Sequence, residues 1–222
     1  MIVQHILAAI ASAVTKIFMA PKISGIINLE KAIELSAKEK RSIVFISNHL
    51  SDFDPVFIFG SFPFKIRKIF LPATVLGKVS LFDRWCKKAA MHAMGCISVG
   101  NDLKEKGWRA HLLKIVRMLK KQKNIFFFPE GKVCLDGELG KDLGVVTTLA
   151  RFESFVLLPI RITGIKNFRP NRFKILTQGK KLSIMFGEPV LIQKGSRIDA
   201  METIKGIDRY QCYSLKIERK FD

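Results

Sequence analysis

Ser42-Ile43-Val44-Phe45-Ile46-Ser47-Asn48-His49-Leu50-Ser51-Asp52-Phe53-Asp54-Pro55 is the stretch on which the fold turns. Its β-branched and aromatic run, up to Ile46, predicts a buried strand. That strand delivers His49 just past its C-terminal end, where the loops of α/β proteins carry chemistry. Asp54 stands five positions further on. On a continuous helix that offset is about 140° around the axis, so the two side chains meet only if the chain turns between them. Asp54-Pro55 gives the turn a place to end, since aspartate is a favoured N-cap and proline a favoured first helical residue. A carboxylate beside an imidazole fixes its tautomer and stabilises the imidazolium, which is the equipment of a general base. The same residues also fit a plain helix cap and a loop histidine, and Asp52 competes with Asp54 as the partner carboxylate.

Outward from this stretch, strand-like and helix-like segments alternate. Residues 22–27 form a short β-like piece, and residues 29–40 have helical composition. Residues 55–60 read as a short helix, 66–70 as a strand, 80–94 as a helix and 96–99 as a strand. Residues 103–121 predict a helix with Leu112, Ile115, Val116 and Leu119 on its core face and Lys114, Arg117 and Lys121 opposite. Residues 124–128 are a continuous apolar strand of the fully buried kind, ended by Pro129-Glu130-Gly131. A helix over 144–152, a strand over 156–162, and two strands over 173–177 and 182–186 joined at Gln178-Gly179 follow. Residues 197–216 read as a helical tail. The alternation predicts an α/β fold with a mainly parallel central sheet covered by helices.

The 222 residues suffice for one domain with a full core. A hydrophobic content of 48% excludes a disordered chain. The net charge of +19 calls for a negatively charged partner: nucleic acid, an anionic lipid surface or a phosphorylated substrate. Eighteen Phe against two Tyr and two Trp favour apolar burial or lipid contact over stacking platforms for bases. With no familiar DNA- or RNA-binding motif either, no nucleic-acid partner is expected. Cys86, Cys96, Cys134 and Cys212 form no CxxC and no zinc spacing, so a reduced setting without structural disulfides is expected.

Residues 1–20 are apolar, with Ile2, Ile6, Ile10, Val14, Ile17 and Phe18 in a helical stripe. Lacking a positive n-region, they do not read as a secretory signal, and they are short and polar-faced for a bilayer span. Two readings stand: a helix lying in the headgroup region of a membrane, and an ordinary amphipathic helix packed on the domain.

Phe127-Phe128-Pro129-Glu130-Gly131 repeats the placement of His49, with a carboxylate and a glycine at the end of a buried strand. In one parallel sheet both loops open on the same edge, where open α/β sheets bind ligands. Asn48-His49 with Asp54, followed downstream by Phe128-Pro129-Glu130-Gly131, resembles the glycerolipid acyltransferase family, in particular bacterial 1-acylglycerol-3-phosphate acyltransferases. Gly95-Cys96-Ile97-Ser98-Val99 resembles the family's second block, Leu158-Pro159-Ile160 its fourth, and Phe186-Gly187-Glu188-Pro189 its downstream turn. The resemblance runs from Gly25 to the C-terminus. With it, the expected organisation is a membrane-associating helix over 1–20, read from its own apolar stripe, and an acyltransferase domain over 21–222, on the cytoplasmic face of a membrane.

The resemblance further implies that His49 is the general base and Asp54 its orienting partner. Asn48, Glu130 and Gly131 then belong to the substrate site. The donor is acyl-CoA or acyl-carrier protein, the acceptor a lysolipid such as 1-acylglycerol-3-phosphate, and no metal or other cofactor is needed. Asn101 and Val133 stand where the family carries arginine. Lys132, helped by Lys104, is then the expected source of positive charge for the acceptor phosphate, with Lys141 a further candidate. A hydrolase using Ser47 or Ser51 as nucleophile is the main rival enzyme, but the chain has no Gly-x-Ser-x-Gly elbow. A noncatalytic binder of anionic lipid is the rival of another class.

Overall fold

The run after Ser42 forms the strand Ile43–Ser47, and all five of its residues are buried. A continuous apolar run dictates burial on both faces, and such a strand belongs in the middle of a sheet. The computed structural model describes residues 2–51, 53–78, 92, 95–99, 108–129, 144–165, 182–205 and 211–218. In chain order these form α1 (Ile2–Val14), a π-helical turn (Thr15–Met19), β1 (Lys22–Ser24), α2 (Ile26–Glu39) and β2 (Ile43–Ser47). Then come α3 (Asp54–Ser61), α4 (Phe64–Phe70), β3 (Ala73–Lys78), β4 (Cys96–Val99), α5 (Trp108–Lys120) and β5 (Asn124–Phe127). The remainder is α6 (Gly144–Phe152), β6 (Phe155–Thr163), β7 (Ser183–Phe186), β8 (Val190–Ile192), β9 (Arg197–Lys205) and β10 (Gln211–Glu218).

The main sheet has the order β1-β7-β6-β2-β5-β3-β4, with β8 beside β6. From β6 to β4 every pairing is parallel. β7 and β8 run antiparallel to β6, and β1 runs parallel to β7. The expected α/β architecture with a mainly parallel sheet is therefore present. Side chains alternate across the pleat, so β2 feeds two cores. Phe45 joins Phe126, Leu158 and Ile160 under α2, α3 and α4, where Leu29, Phe57, Ile58 and Phe70 close the layer. Val44 and Ile46 join Ile125, Phe127 and Leu157 under α5 and α6. The α5 contribution is Leu112, Ile115, Val116 and Leu119, the four residues its periodicity singles out.

Two expectations fail. Residues 66–70 are not a strand but the body of α4: Ile66, Arg67 and Phe70 turn inward while Phe64, Lys65, Lys68 and Ile69 stay exposed. Five residues are too few for periodicity to separate helix from strand. The strand comes later, as β3, between β4 and β5. Residues 197–216 are not helical either; β9 and β10 pair antiparallel, Gln211 opposite Lys205. Tyr213, Leu215 and Ile217 alternate with Ser214, Lys216 and Glu218, a period of two that the charged composition hides. The helix expected over 80–94 lies almost entirely outside the described residues, and the strand expected over 173–177 lies wholly outside them.

α1 is mounted with its polar side inward. Gln4 Nε2 donates to the Ala73 carbonyl at 3.1 Å, and Ser12 and Thr15 are buried. The buried Arg67 of α4 donates from Nη1 to the Ala8 carbonyl at 2.8 Å. α3 approaches closely at Gly60, where a Cβ would stand 2.7 Å from Thr15 Oγ1 and 2.9 Å from the Ala11 carbonyl oxygen. The predicted stripe consequently faces outward: Ile6, Ile10, Val14 and Ile17 are 53%, 55%, 43% and 73% exposed. A surface helix of a globular domain ordinarily has the reverse arrangement. Among the described residues, no helix is long and apolar enough to cross a membrane.

Candidate active site

The parallel pairing fixes where the loops emerge. Ile46 lies opposite Phe127 and Ser47 opposite Ile160, so the C-terminal ends of β2, β5 and β6 open on one edge of the sheet, β6 running on to Thr163. Asn48 is the first residue beyond β2 and is fully buried. Its Nδ2 donates to the Ile162 carbonyl at 2.9 Å, and its Oδ1 accepts from the Ile162 N–H at 2.8 Å. Asn48, expected in the substrate site, clamps the start of the loop to the end of β6. Asn48→Ala would leave both backbone groups buried without these partners, at about 1–3 kcal/mol each. Denaturant unfolding of that variant should show a loss of about 3 kcal/mol.

The clamp sets the direction in which His49 leaves the strand. Its Nδ1 lies 3.0 Å from Asp54 Oδ2, and Asp54 is fully buried. The same Oδ2 accepts the N–H groups of Leu50 at 2.6 Å and Ser51 at 2.9 Å, while Oδ1 accepts the Ser51 hydroxyl at 2.7 Å. Asp54 is thus the residue around which the loop closes. It is the first residue of α3 rather than its N-cap, and its carboxylate reaches back into the loop. Because a carboxylate only accepts, Nδ1 must carry the proton, which leaves the lone pair on Nε2. Of the two aspartates the sequence offers, Asp54 is the partner; Asp52 lies outside the described residues.

Phe128, the residue after β5, stacks on the imidazole with ring centroids 3.9 Å apart and planes 13° from parallel. Phe126 meets Phe128 edge-on at 5.0 Å. The histidine is therefore held at Nδ1 by a carboxylate and across its face by an aromatic wall. Sequence reasoning gave Phe128 no role of its own, and Ser51 only that of a rival nucleophile. The signals were present: Phe126 and Phe128 stand two residues apart in one extended run, and Ser51 stands three residues before Asp54.

Both serines proposed for a hydrolase are spent. Ser47 Oγ donates to the Asn48 carbonyl at 3.0 Å, and Ser51 Oγ to Asp54. Both are buried. Cys96 is free and buried, and burial pushes its thiol up to about 11, so it is no thiolate nucleophile at neutral pH. Glu130, Gly131, Lys132, Lys104, Lys141, Asn101 and Val133 lie outside the described residues. The strand that leads to Glu130 and Gly131 nonetheless ends at the edge that carries His49. The fourth block and the downstream turn also meet, since the Gly187 N–H donates to the Pro159 carbonyl at 2.8 Å.

This arrangement places an imidazole, held at Nδ1 by a buried carboxylate, at the carboxyl edge of a parallel sheet. Among solved structures, the 1-acyl-sn-glycerophosphate (LPA) acyltransferase PlsC from Thermotoga maritima superposes with a TM-score of 0.53 and 16% identity, covering 83% of this chain and 68% of its own. That likeness shows a shared fold. No curated protein matches the chain. A sequence profile of the acyltransferase family matches residues 22–163, spanning β1 to the end of β6 and with them His49, Asp54 and Phe128. The chain belongs to the acyltransferase family.

Proposed function

We propose that the protein moves a fatty acyl group from an acyl thioester, acyl-CoA or acyl-carrier protein, to the free hydroxyl of a lysolipid, with 1-acylglycerol-3-phosphate the favoured acceptor. The observation that carries the reading is the His49–Asp54 pair, in which Nδ1 lies 3.0 Å from a buried carboxylate, the arrangement that equips an imidazole to act as a base. An acceptor hydroxyl is too weak an acid to attack unaided, so a base must remove its proton as the C–O bond forms. Nε2 takes that proton while the oxygen attacks the thioester carbonyl. The tetrahedral intermediate then expels the thiolate, and the imidazolium returns the proton to the sulfur, leaving an ester and a free thiol. The oxyanion needs N–H donors. Those of Leu50 and Ser51 are already held by Asp54, so they do not supply them. The matched family supports acyl transfer, and the PlsC neighbour makes a lysophosphatidic acid the first acceptor to try.

The test is purified protein with labelled acyl-CoA against lysolipids with and without a phosphate monoester. Ester formation on lysophosphatidic acid above all others supports the reading; thioester hydrolysis without acceptor acylation refutes it. In the first outcome, Lys132→Ala should raise KM for the phosphate acceptor and spare a phosphate-free one.

Both substrates carry acyl chains, and we place the protein on the cytoplasmic face of a membrane, held through α1. The outward stripe supports this, since an exposed apolar row of that kind marks a contact surface. Deleting residues 1–20 is a poor test, because Ala8, Ser12, Thr15 and Met19 are buried against the domain. Replacing Ile6, Ile10 and Ile17 by serine changes only the outward row. Vesicle partitioning should fall by about a thousandfold or more, each buried isoleucine being worth about 1.5–3 kcal/mol. Unchanged sedimentation would reduce α1 to packing.

A further inference from the structure

α4 divides cleanly around its axis. At about 100° per residue, Phe64, Lys68, Lys65 and Ile69 fall within about 140° of one another, and Ile66, Phe70 and Arg67 occupy the rest. The first four are exposed and the last three buried. Phe64 and Ile69 are 61% and 56% exposed, large for side chains whose burial inward would stabilise the fold. Lys68 Nζ sits 4.6 Å from the centroid of the Phe64 ring, with the Arg67 guanidinium 5.5 Å away. No acidic residue lies between Phe64 and Phe70. Arg67 reaches from this helix to the Ala8 carbonyl, so α4 is tied to α1.

We infer that α4 is a second membrane-contacting element, one that seats on an anionic bilayer with Phe64 and Ile69 among the acyl chains and Lys65 and Lys68 at the lipid phosphates. Interleaved lysines and apolar side chains fit an interface whose headgroups are negative and whose interior is apolar. A second copy of the chain fits badly: a two-fold contact through this face would gather four ammonium groups on proteins that each carry +19. A free polyanion would satisfy the lysines and leave Ile69 in water. On this reading α1 supplies apolar grip and α4 makes docking depend on lipid charge. The inference rests on the membrane placement proposed above.

The test compares the wild-type chain, Lys65→Gln/Lys68→Gln and Phe64→Ser/Ile69→Ser on phosphatidylcholine vesicles with and without phosphatidylglycerol. The lysine pair should lose about thirtyfold of partitioning on the anionic vesicles, the fold-change equivalent to about 1 kcal/mol per lysine, and nothing on the neutral ones. The apolar pair should lose about tenfold or more on both. Either pair partitioning onto anionic vesicles as the wild type does overturns the inference, as does a vesicle-free dimer that Phe64→Ser/Ile69→Ser abolishes. Phe64→Trp guards against a variant that melts early: its emission should shift to the blue when anionic vesicles are added, and an unmoved spectrum overturns the inference. Transfer to a monodisperse short-chain acceptor, away from any bilayer, separates the two readings. Vesicle binding without acyl transfer would sink the enzymatic proposal and leave α4 standing, whereas equal binding by all three proteins would do the opposite.

Discussion

His49→Ala is expected to lose about 10² to 10⁴ of acyl transfer while remaining folded. On the proposed mechanism the lost factor is the proton acceptor for the attacking hydroxyl, and no neighbour among the described residues replaces it in place. Asp54 is buried and already accepts from Leu50, Ser51 and His49, and the two loop serines donate elsewhere. The imidazole is 15% exposed and lies against Phe128, so its removal should cost about 1 kcal/mol of stability, well short of unfolding a domain of this size. Single-turnover transfer from labelled acyl-CoA, read beside a thermal melt, decides the matter. A variant that melts like the wild type and still transfers at the wild-type rate would remove His49 from the mechanism.

The centre of this molecule was legible because several local signals there agree. The run from Ile43 to Ile46 is apolar throughout, as a strand buried on both faces must be, and the same holds for Ile125 to Phe127. Once those two strands are parallel neighbours, the placement of His49 and Phe128 at one edge follows from the topology alone. The geometry inside the loop was less legible. Nothing in the order Leu50-Ser51-Asp52-Phe53-Asp54 says that one carboxylate oxygen will gather two backbone N–H groups and an imidazole. Asn48 shows the limit differently: its partner, Ile162, is distant in sequence and is reached only because β6 lies beside β2. At α4 and over β9 and β10, local composition misled. A five-residue window carries too little periodicity, and charged side chains on strands that alternate read as helix. The outward stripe of α1 was visible as a stripe, but its direction depends on Gln4, Arg67 and Gly60 finding their partners, a tertiary fact.

Asp54 offers a sharper experiment than His49, because its two duties separate by substitution. Asp54→Ala removes the acceptor for two buried backbone N–H groups, the Ser51 hydroxyl and the imidazole. A buried donor left unsatisfied costs about 1–3 kcal/mol, so stability should fall by about 3 kcal/mol or more, and transfer should fall with it as the histidine loses its fixed tautomer. Asp54→Asn keeps the shape. Its amide oxygen can take the Oδ2 place, accepting from Leu50, Ser51 and His49, while its NH₂ group faces the Ser51 hydroxyl, which can turn to accept. Fold and tautomer then survive, and only the negative charge opposite the developing imidazolium is gone. Hydrogen bonds to charged groups are worth about 1.5–3 kcal/mol, so kcat should drop about 10- to 100-fold with unfolding free energy near the wild-type value. Denaturant unfolding and kcat at saturating acyl-CoA measure the two effects independently. A folded Asp54→Asn with undiminished kcat would leave Asp54 the closure of a loop and nothing more, and would require another source of charge for the base.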